Sequence, residues 1–243
     1  MWGYLLVYYL SDMKKTKTDC DLQSCSLCRG CLKEWLPALD AHRKTYDFKK
    51  GELLFKEGDA VTGIYFLYTG KAKVHKSWGD DKEIIVRFAG PGDVLGHRGL
   101  GKEPVFPVSA TALENMSACF IDIDFFISTI KINHDYAFSL LMFYAEELQE
   151  SEKNMRNMAH MPVKGRIAHA LIKLHDRFGI NENGLLDISL TRQDLASFAG
   201  TTYETAFRTM TEMAGENMLD FTGKDIQIKD LALIRGLVTG TKV

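Results

Sequence analysis

Five cysteines are the side chains of this chain best suited to chemistry: Cys20, Cys25, Cys28 and Cys31 form a C-x4-C-x2-C-x2-C run, and Cys119 stands far downstream. Structural disulfides are not expected in a cytosolic chain, so metal or redox chemistry is the functional reading of such a cluster. Thiolates bind soft metals. The consecutive two-residue gaps are closer to the C-x2-C-x2-C run of ferredoxin iron–sulfur sites than to the two separated pairs of a zinc site. The four clustered cysteines are therefore candidate ligands of an iron–sulfur cluster. The bland alternative is a small buried hydrophobe at Cys119 and unused or oxidised thiols near the N-terminus.

A second group of residues has the chemistry of base-edge recognition, and the stretch Thr191 to Asp230 supplies the elements that must position it. Thr191 caps a first helix and Asp194 answers it three residues on, as in a capping box, before Gly200 breaks the apolar run. Thr202 caps a second helix. In that helix Ala206, Met210, Met213 and Ala214 recur at three- and four-residue spacing, so they face inward and turn Tyr203, Glu204, Phe207 and Arg208 outward. A hairpin follows, Leu219 to Phe221, a Thr222-Gly223-Lys224-Asp225 turn, then Ile226 to Ile228. Helix, turn, helix and wing make a winged helix-turn-helix. Its candidate DNA contacts are Arg192, Thr202, Tyr203, Glu204, Thr205, Phe207, Arg208 and Lys224, with Phe207 placed to touch a thymine methyl. The competing reading, two amphipathic helices and a hairpin that are only core, leaves the outward charges unexplained.

This segment resembles the DNA-binding module of the CRP/FNR family of bacterial transcription regulators, the cyclic AMP receptor protein and fumarate-nitrate reduction regulator group. The family's E-x-x-x-R core is matched by Glu204 and Arg208, and its V-x-G-R-I-A run by Val163, Gly165, Arg166, Ile167 and Ala168. The resemblance implies that Arg208 contacts guanine and Glu204 accepts from a cytosine amino group, as base-edge geometry allows. It covers nearly the whole chain beyond the cysteine run. It also implies a homodimer, a pseudo-palindromic operator in double-stranded DNA, and contact with RNA polymerase.

From Trp35 to Ile132 short apolar runs alternate with Gly, Asp and Pro turn signals, as in a jelly roll of many short strands. KKGELLFKEGD, Tyr68-Thr69-Gly70 and AGPGDVLG resemble the family's β-roll sensor. Where cyclic-nucleotide binders carry a ribose-binding acid and a phosphate-binding arginine, this chain has Gly96-His97-Arg98-Gly99 and then Val108-Ser109. His97 replaces the acid and Val108 the arginine. An apolar side chain forfeits the charge-assisted phosphate contact, so cyclic AMP is not an expected ligand of this effector pocket. His97 beside a Gly-rich turn is also a candidate haem ligand, a reading that lacks a second axial partner. The oxygen-sensing branch of the family has N-terminal cysteines and a later one after Ala-Leu-Glu. Here Ala112-Leu113-Glu114 precedes Cys119, so the resemblance implies Cys119 as a further cluster ligand, although the last N-terminal gap is shorter than in that branch.

Asn133 to Met158 forms a long amphipathic run, and about 25 residues at 1.5 Å each exceed what packing on a small domain needs. The spare length implies pairing with a second copy, and Pro162 ends the helix. The expected architecture is α+β: an N-terminal extension with the cysteines (1–33), a cyclic-nucleotide-binding-like β-roll (34–132), a dimerisation helix (133–160) and a winged helix-turn-helix (161–243).

With 243 residues and 46% hydrophobic content the chain can bury two cores. Its net charge is −2, and residues 164–243 hold ten basic and ten acidic side chains, so any basic footprint is local, at Arg192, Arg208 and Lys224. The opening MWGYLLVYYL is too short to span a bilayer and lacks the flanks of a signal peptide. Met13 is a natural start, which makes residues 1–12 either disordered or an extra contact strand. The expectation is a cytoplasmic protein without membrane contact. It is not expected to be an enzyme, because no nucleophile–base pair or phosphate loop occurs. The alternative to redox sensing is a module answering to a cyclic nucleotide or another small molecule.

Overall fold

A computed structural model describes residues 15–16, 25–79 and 82–239. Residues 1–12, read as disordered or as an extra strand, and Cys20, read as a metal ligand, lie outside the described residues. The chain divides into two compact units, residues 1–76 with 87–144 and residues 77–86 with 145–243, so the boundary falls between Tyr144 and Ala145.

In chain order the first half holds β1 (Lys15–Thr16), α1 (Ser26–Gly30), a 3-10 turn (Lys33–Trp35), α2 (Leu36–His42), β2 (Lys44–Phe48), β3 (Leu53–Phe55) and β4 (Gly63–Thr69). There follow β5 (Ala72–Trp78), β6 (Lys82–Ala89), β7 (Val94–Leu95), β8 (Ser109–Ala112), β9 (Met116–Asp122), α3 (Ile123–Ile132) and α4 (His134–His160). One sheet runs β1-β2-β9-β4-β7 and the other β3-β8-β5-β6, which makes the expected antiparallel β-roll.

The two central strands, β4 and β9, are buried along almost their whole length rather than at alternate positions. Successive strand residues point to opposite faces, so both faces must be covered. Inside the roll, Tyr65 and Phe120 join Phe48, Phe55 and Phe106 in a chain of ring contacts. On the outer face Ile64, Phe66, Cys119 and Ile121 pack with Leu27, Leu39, Phe126 and Tyr136 from the helices. Gly63 permits this close approach, because a Cβ there would lie 2.3 Å from Phe120 Cζ and 2.4 Å from the Ile121 carbonyl.

The long helical run is one helix that starts after Asn133, as the sequence indicates, and a separate short helix, α3, precedes it. Asp122 caps α3 by accepting from the Asp124 N–H at 3.1 Å, and α3 ends at the buried Asn133, whose side-chain amide donates to the Thr129 carbonyl at 2.9 Å. Then α4 runs uninterrupted for 27 residues and stops two residues before Pro162, where the sequence reading put its end.

The second half holds α5 (Val163–Phe178), α6 (Arg192–Phe198), α7 (Tyr203–Gly215), β10 (Leu219–Thr222), β11 (Asp225–Ile228) and α8 (Leu231–Thr239). Ile167, Leu171 and Leu174 of α5, Leu195 of α6, Met210 and Met213 of α7, and Ile234 of α8 are all at most 1% exposed and form the core of this unit.

Candidate functional site

The helix pair α6–α7 is set by its caps. Thr191 Oγ1 accepts from the Asp194 N–H at 3.0 Å and Asp194 Oδ2 accepts from the Thr191 N–H at 3.0 Å, the reciprocal box read from the sequence. Thr202 Oγ1 accepts from the Thr205 N–H at 3.3 Å and starts α7. Between them Gly200 takes φ +63°, and a Cβ there would press on Met158 Cε at 3.3 Å. With Ala206, Thr209, Met210 and Met213 buried, α7 turns Tyr203, Glu204, Phe207 and Arg208 to solvent. Thr202 is exposed, Thr205 half-buried, and Lys224 sits exposed in the wing turn.

Arg192 behaves differently from the other predicted contacts. Its guanidinium lies 4.5 Å from the ring centroid of Phe221 on β10, and burial lowers its pKa while Tyr203 and Asp225 act in the opposite direction. Phe221, unremarkable in sequence, is the residue that sequence reasoning missed. Lys164 is drawn off by Glu212 at 2.9 Å and Glu216 at 2.8 Å. That leaves Arg208 and Lys224 as the local basic charge that the neutral composition required.

In the β-roll, Gly96, His97, Arg98 and Val108 line one recess with a cavity volume of about 10 Å³ together with Phe55, Val74 and Arg87. Small-molecule sites usually span about 300–1,000 Å³. Gly99 and Ser109, also placed in the pocket by sequence, face elsewhere: Gly99 packs against Val61 and Val105, and Ser109 Oγ accepts from the Glu57 N–H at 2.9 Å. His97 is buried edge-on to Phe143 and Tyr144 of α4, and Tyr144 donates its hydroxyl to the His97 carbonyl at 2.5 Å. It is packed as a core histidine, and Val108, buried and apolar, brings no charge to the recess. Arg87, not anticipated from sequence, donates to the Val94 carbonyl at 2.5 Å.

Cys25, Cys28 and Cys119 are buried in one apolar cluster with Cys31 packed against it, and all four are free thiols. The segment carrying them is tied down. Leu32 N–H donates to Asn133 Oδ1 at 2.7 Å, Trp35 Nε1 donates to Thr129 Oγ1 at 3.1 Å, and Trp35 and His42 each stack on Phe125. A hydrogen bond with the Cys28 thiol pushes Cys25 down to about 7 against the opposing effect of burial, whereas burial pushes Cys31 up to about 12. Three buried thiols with a half-buried fourth beside them suit the chemistry of an iron–sulfur cluster. Among the described residues, however, no three His, Cys, Asp or Glu side chains are arranged to hold a metal ion, so a cluster would require the 25–31 turn to rearrange.

A β-roll in one unit and a capped helix-turn-helix with a two-stranded wing in the other define a sensor-bearing DNA-binding regulator. Residues 46–133 match the cyclic nucleotide-binding domain and residues 165–237 the Crp-like helix-turn-helix domain. The chain belongs to the CRP/FNR family of bacterial transcription regulators. It is 27% identical over 197 residues to the CRP-like cAMP-activated global transcriptional regulator of Mycobacterium tuberculosis, covering 80% of this chain and 88% of that one. It is likewise 27% identical over 228 residues to the transcriptional activator protein Anr of Pseudomonas protegens, covering 90% and 93%. The fold is shared with FixK2 from Bradyrhizobium japonicum at a TM-score of 0.70 and 23% identity, over 80% of this chain and 96% of that one. Among the described residues no helix is long and apolar enough to cross a membrane.

Proposed function

We propose that this protein is a non-catalytic, homodimeric regulator of the cytoplasm that senses oxygen or redox state through an iron–sulfur cluster. It reads a pseudo-palindromic operator in double-stranded DNA with Glu204 and Arg208 and contacts RNA polymerase there. One observation carries the reading: α4 packs Tyr136 and Leu140 against the cysteine cluster and leaves Phe138, Leu141, Leu148 and Met155 exposed along its length. Spacings of three and seven residues put those four side chains on one stripe, the seam by which two helices pair. The helix that packs on the sensor thiols thus also carries the dimer stripe. Cys119 and three of Cys20, Cys25, Cys28 and Cys31 would hold the cluster, which would supply oxygen-labile redox chemistry. A second reading, a small effector in the recess beside His97, is favoured by the Tyr144–His97 hydrogen bond, which links that recess to α4.

The test is protein made and kept without air, assayed for iron, for visible absorbance and for operator binding. The expected result is a coloured, iron-containing protein whose operator affinity falls when all five cysteines are replaced by serine. Protein that stays colourless and iron-free after reconstitution, with a five-serine variant that binds equally well, overturns the cluster reading. It leaves the recess as the sensor.

A further inference from the structure

Three rings and one guanidinium form a continuous ladder across the DNA-reading face. Tyr203 and Phe207, one helical turn apart on α7, stack with centroids 6.2 Å apart and planes 10° from parallel. Phe207 meets Phe221 of the wing edge-on at 6.2 Å and 64°, and Phe221 carries the Arg192 guanidinium on its face. Rings that serve only the core are buried, as Ala206, Met210 and Met213 on the opposite side of the same helix are fully buried. Tyr203 and Phe207 each keep 44% of their surface open. They lie on the side of α7 that also presents Glu204 and Arg208.

We propose that the Tyr203–Phe207 stack, braced by Phe221 and Arg192, is a specificity surface for pyrimidine C5-methyl groups in the major groove. The inference rests on the DNA-binding function and adds the class of base pair selected. Among the groups that base pairs expose in the major groove, the C5-methyl of thymine is the apolar one, and the rest are hydrogen-bond donors and acceptors. A phenylalanine ring can satisfy none of those. Against a polar edge it would strip water from groups it cannot replace, whereas against a methyl it buries apolar area on both sides. Bracing matters as well: a ring held between two others loses little freedom on binding. Arg192 is committed to the Phe221 face rather than reaching out to a phosphate. The same surface accepts 5-methylcytosine, which presents the same methyl, so the protein responds to the methylation state of cytosines at that step.

The test uses a duplex selected from random-sequence DNA by the full-length protein, with each thymine of a half-site replaced in turn by deoxyuridine. Removing a contacted methyl is expected to weaken binding about fourfold, the ~0.8 kcal/mol of one buried carbon converted at 1.4 kcal/mol per tenfold. At least one thymine should show this loss, and at a cytosine in the same step 5-methylcytosine should bind more tightly than cytosine. Phe207→Ala should bind the thymine and uracil duplexes equally. If that variant fails to fold, Phe207→Gln, which keeps side-chain bulk but presents no apolar ring to a methyl, supplies the same comparison. Wild-type protein indifferent to every thymine-to-uracil change, or variants that keep the full sensitivity, overturn the methyl surface while leaving sequence-specific binding intact. If selection enriches no sequence at all, the DNA-reading assignment fails as well.

Discussion

The side-chain oxygen of Asn133 accepts a 2.7 Å hydrogen bond from the backbone N–H of Leu32, a residue 101 positions earlier in the chain. Asn133 is 1% exposed and sits at the junction of α3 and α4, so this bond anchors the end of the cysteine turn to the start of the long helix. Replacing Asn133 with alanine removes the acceptor and the buried amide together. The expected loss is about 1–3 kcal/mol of unfolding free energy, read as a lower urea midpoint. An unchanged midpoint would show that the anchor contributes nothing.

Arg208 is exposed on α7 beside Glu204, while the helix's other face is buried. Arg208→Ala should cost about 1–3 kcal/mol on a selected operator and little on random DNA, as measured by fluorescence anisotropy at fixed salt. Equal losses on both would mean that Arg208 meets phosphate rather than a base.

Cyclic AMP should leave thermal stability unchanged. A ligand that binds the native state alone must raise the unfolding midpoint. The recess by His97 offers Val108 where a phosphate would need charge, and its cavity volume of about 10 Å³ is far too small for a nucleotide. A saturable rise in midpoint on titration with cyclic AMP would overturn this expectation.

In metal-free protein the cysteine turn should give stability a pH dependence with a maximum near pH 9. Between about 7, where Cys25 ionises in the folded chain, and the ordinary thiol value of 9.0, the unfolded chain holds more protons than the folded one. Stability therefore rises with pH across that window and falls away as pH drops through 7. Cys31, pushed up to about 12, works in the opposite sense: its contribution is complete below 9.0 and is lost as pH rises towards 12. Urea midpoints at pH 7, 8, 9 and 10 test both signs. In Cys25→Ser the rise between pH 7 and 9 should disappear.

The local elements were legible in the sequence because each depends on neighbours within a few residues. Thr191 and Asp194 form their capping box across three positions, Pro162 lies two residues past the end of α4, and the 3.6-residue period of Ala206, Met210 and Met213 determines which side of α7 faces out. The short apolar runs between Gly and Pro signals identified the β-roll for the same reason, and Glu204 and Arg208 could be picked out once that helix was in place. What depended on distant contacts could not be read this way. The start of the long helix at Asn133 was legible, but not that the Asn133 amide is buried and pairs with Thr129 and with Leu32, 101 positions away. Arg87 enters the recess, and Gly99 and Ser109 leave it, through strand pairing that no local spacing encodes. Arg192 reads in sequence as part of the basic footprint, yet the wing folds back and lays Phe221 beneath it. The meeting of Cys25, Cys28 and Cys31 with Cys119, about ninety residues apart, was implied by resemblance alone; tertiary packing brings them into one apolar cluster, because β9 turns Cys119 to the outer face that the N-terminal helices cover.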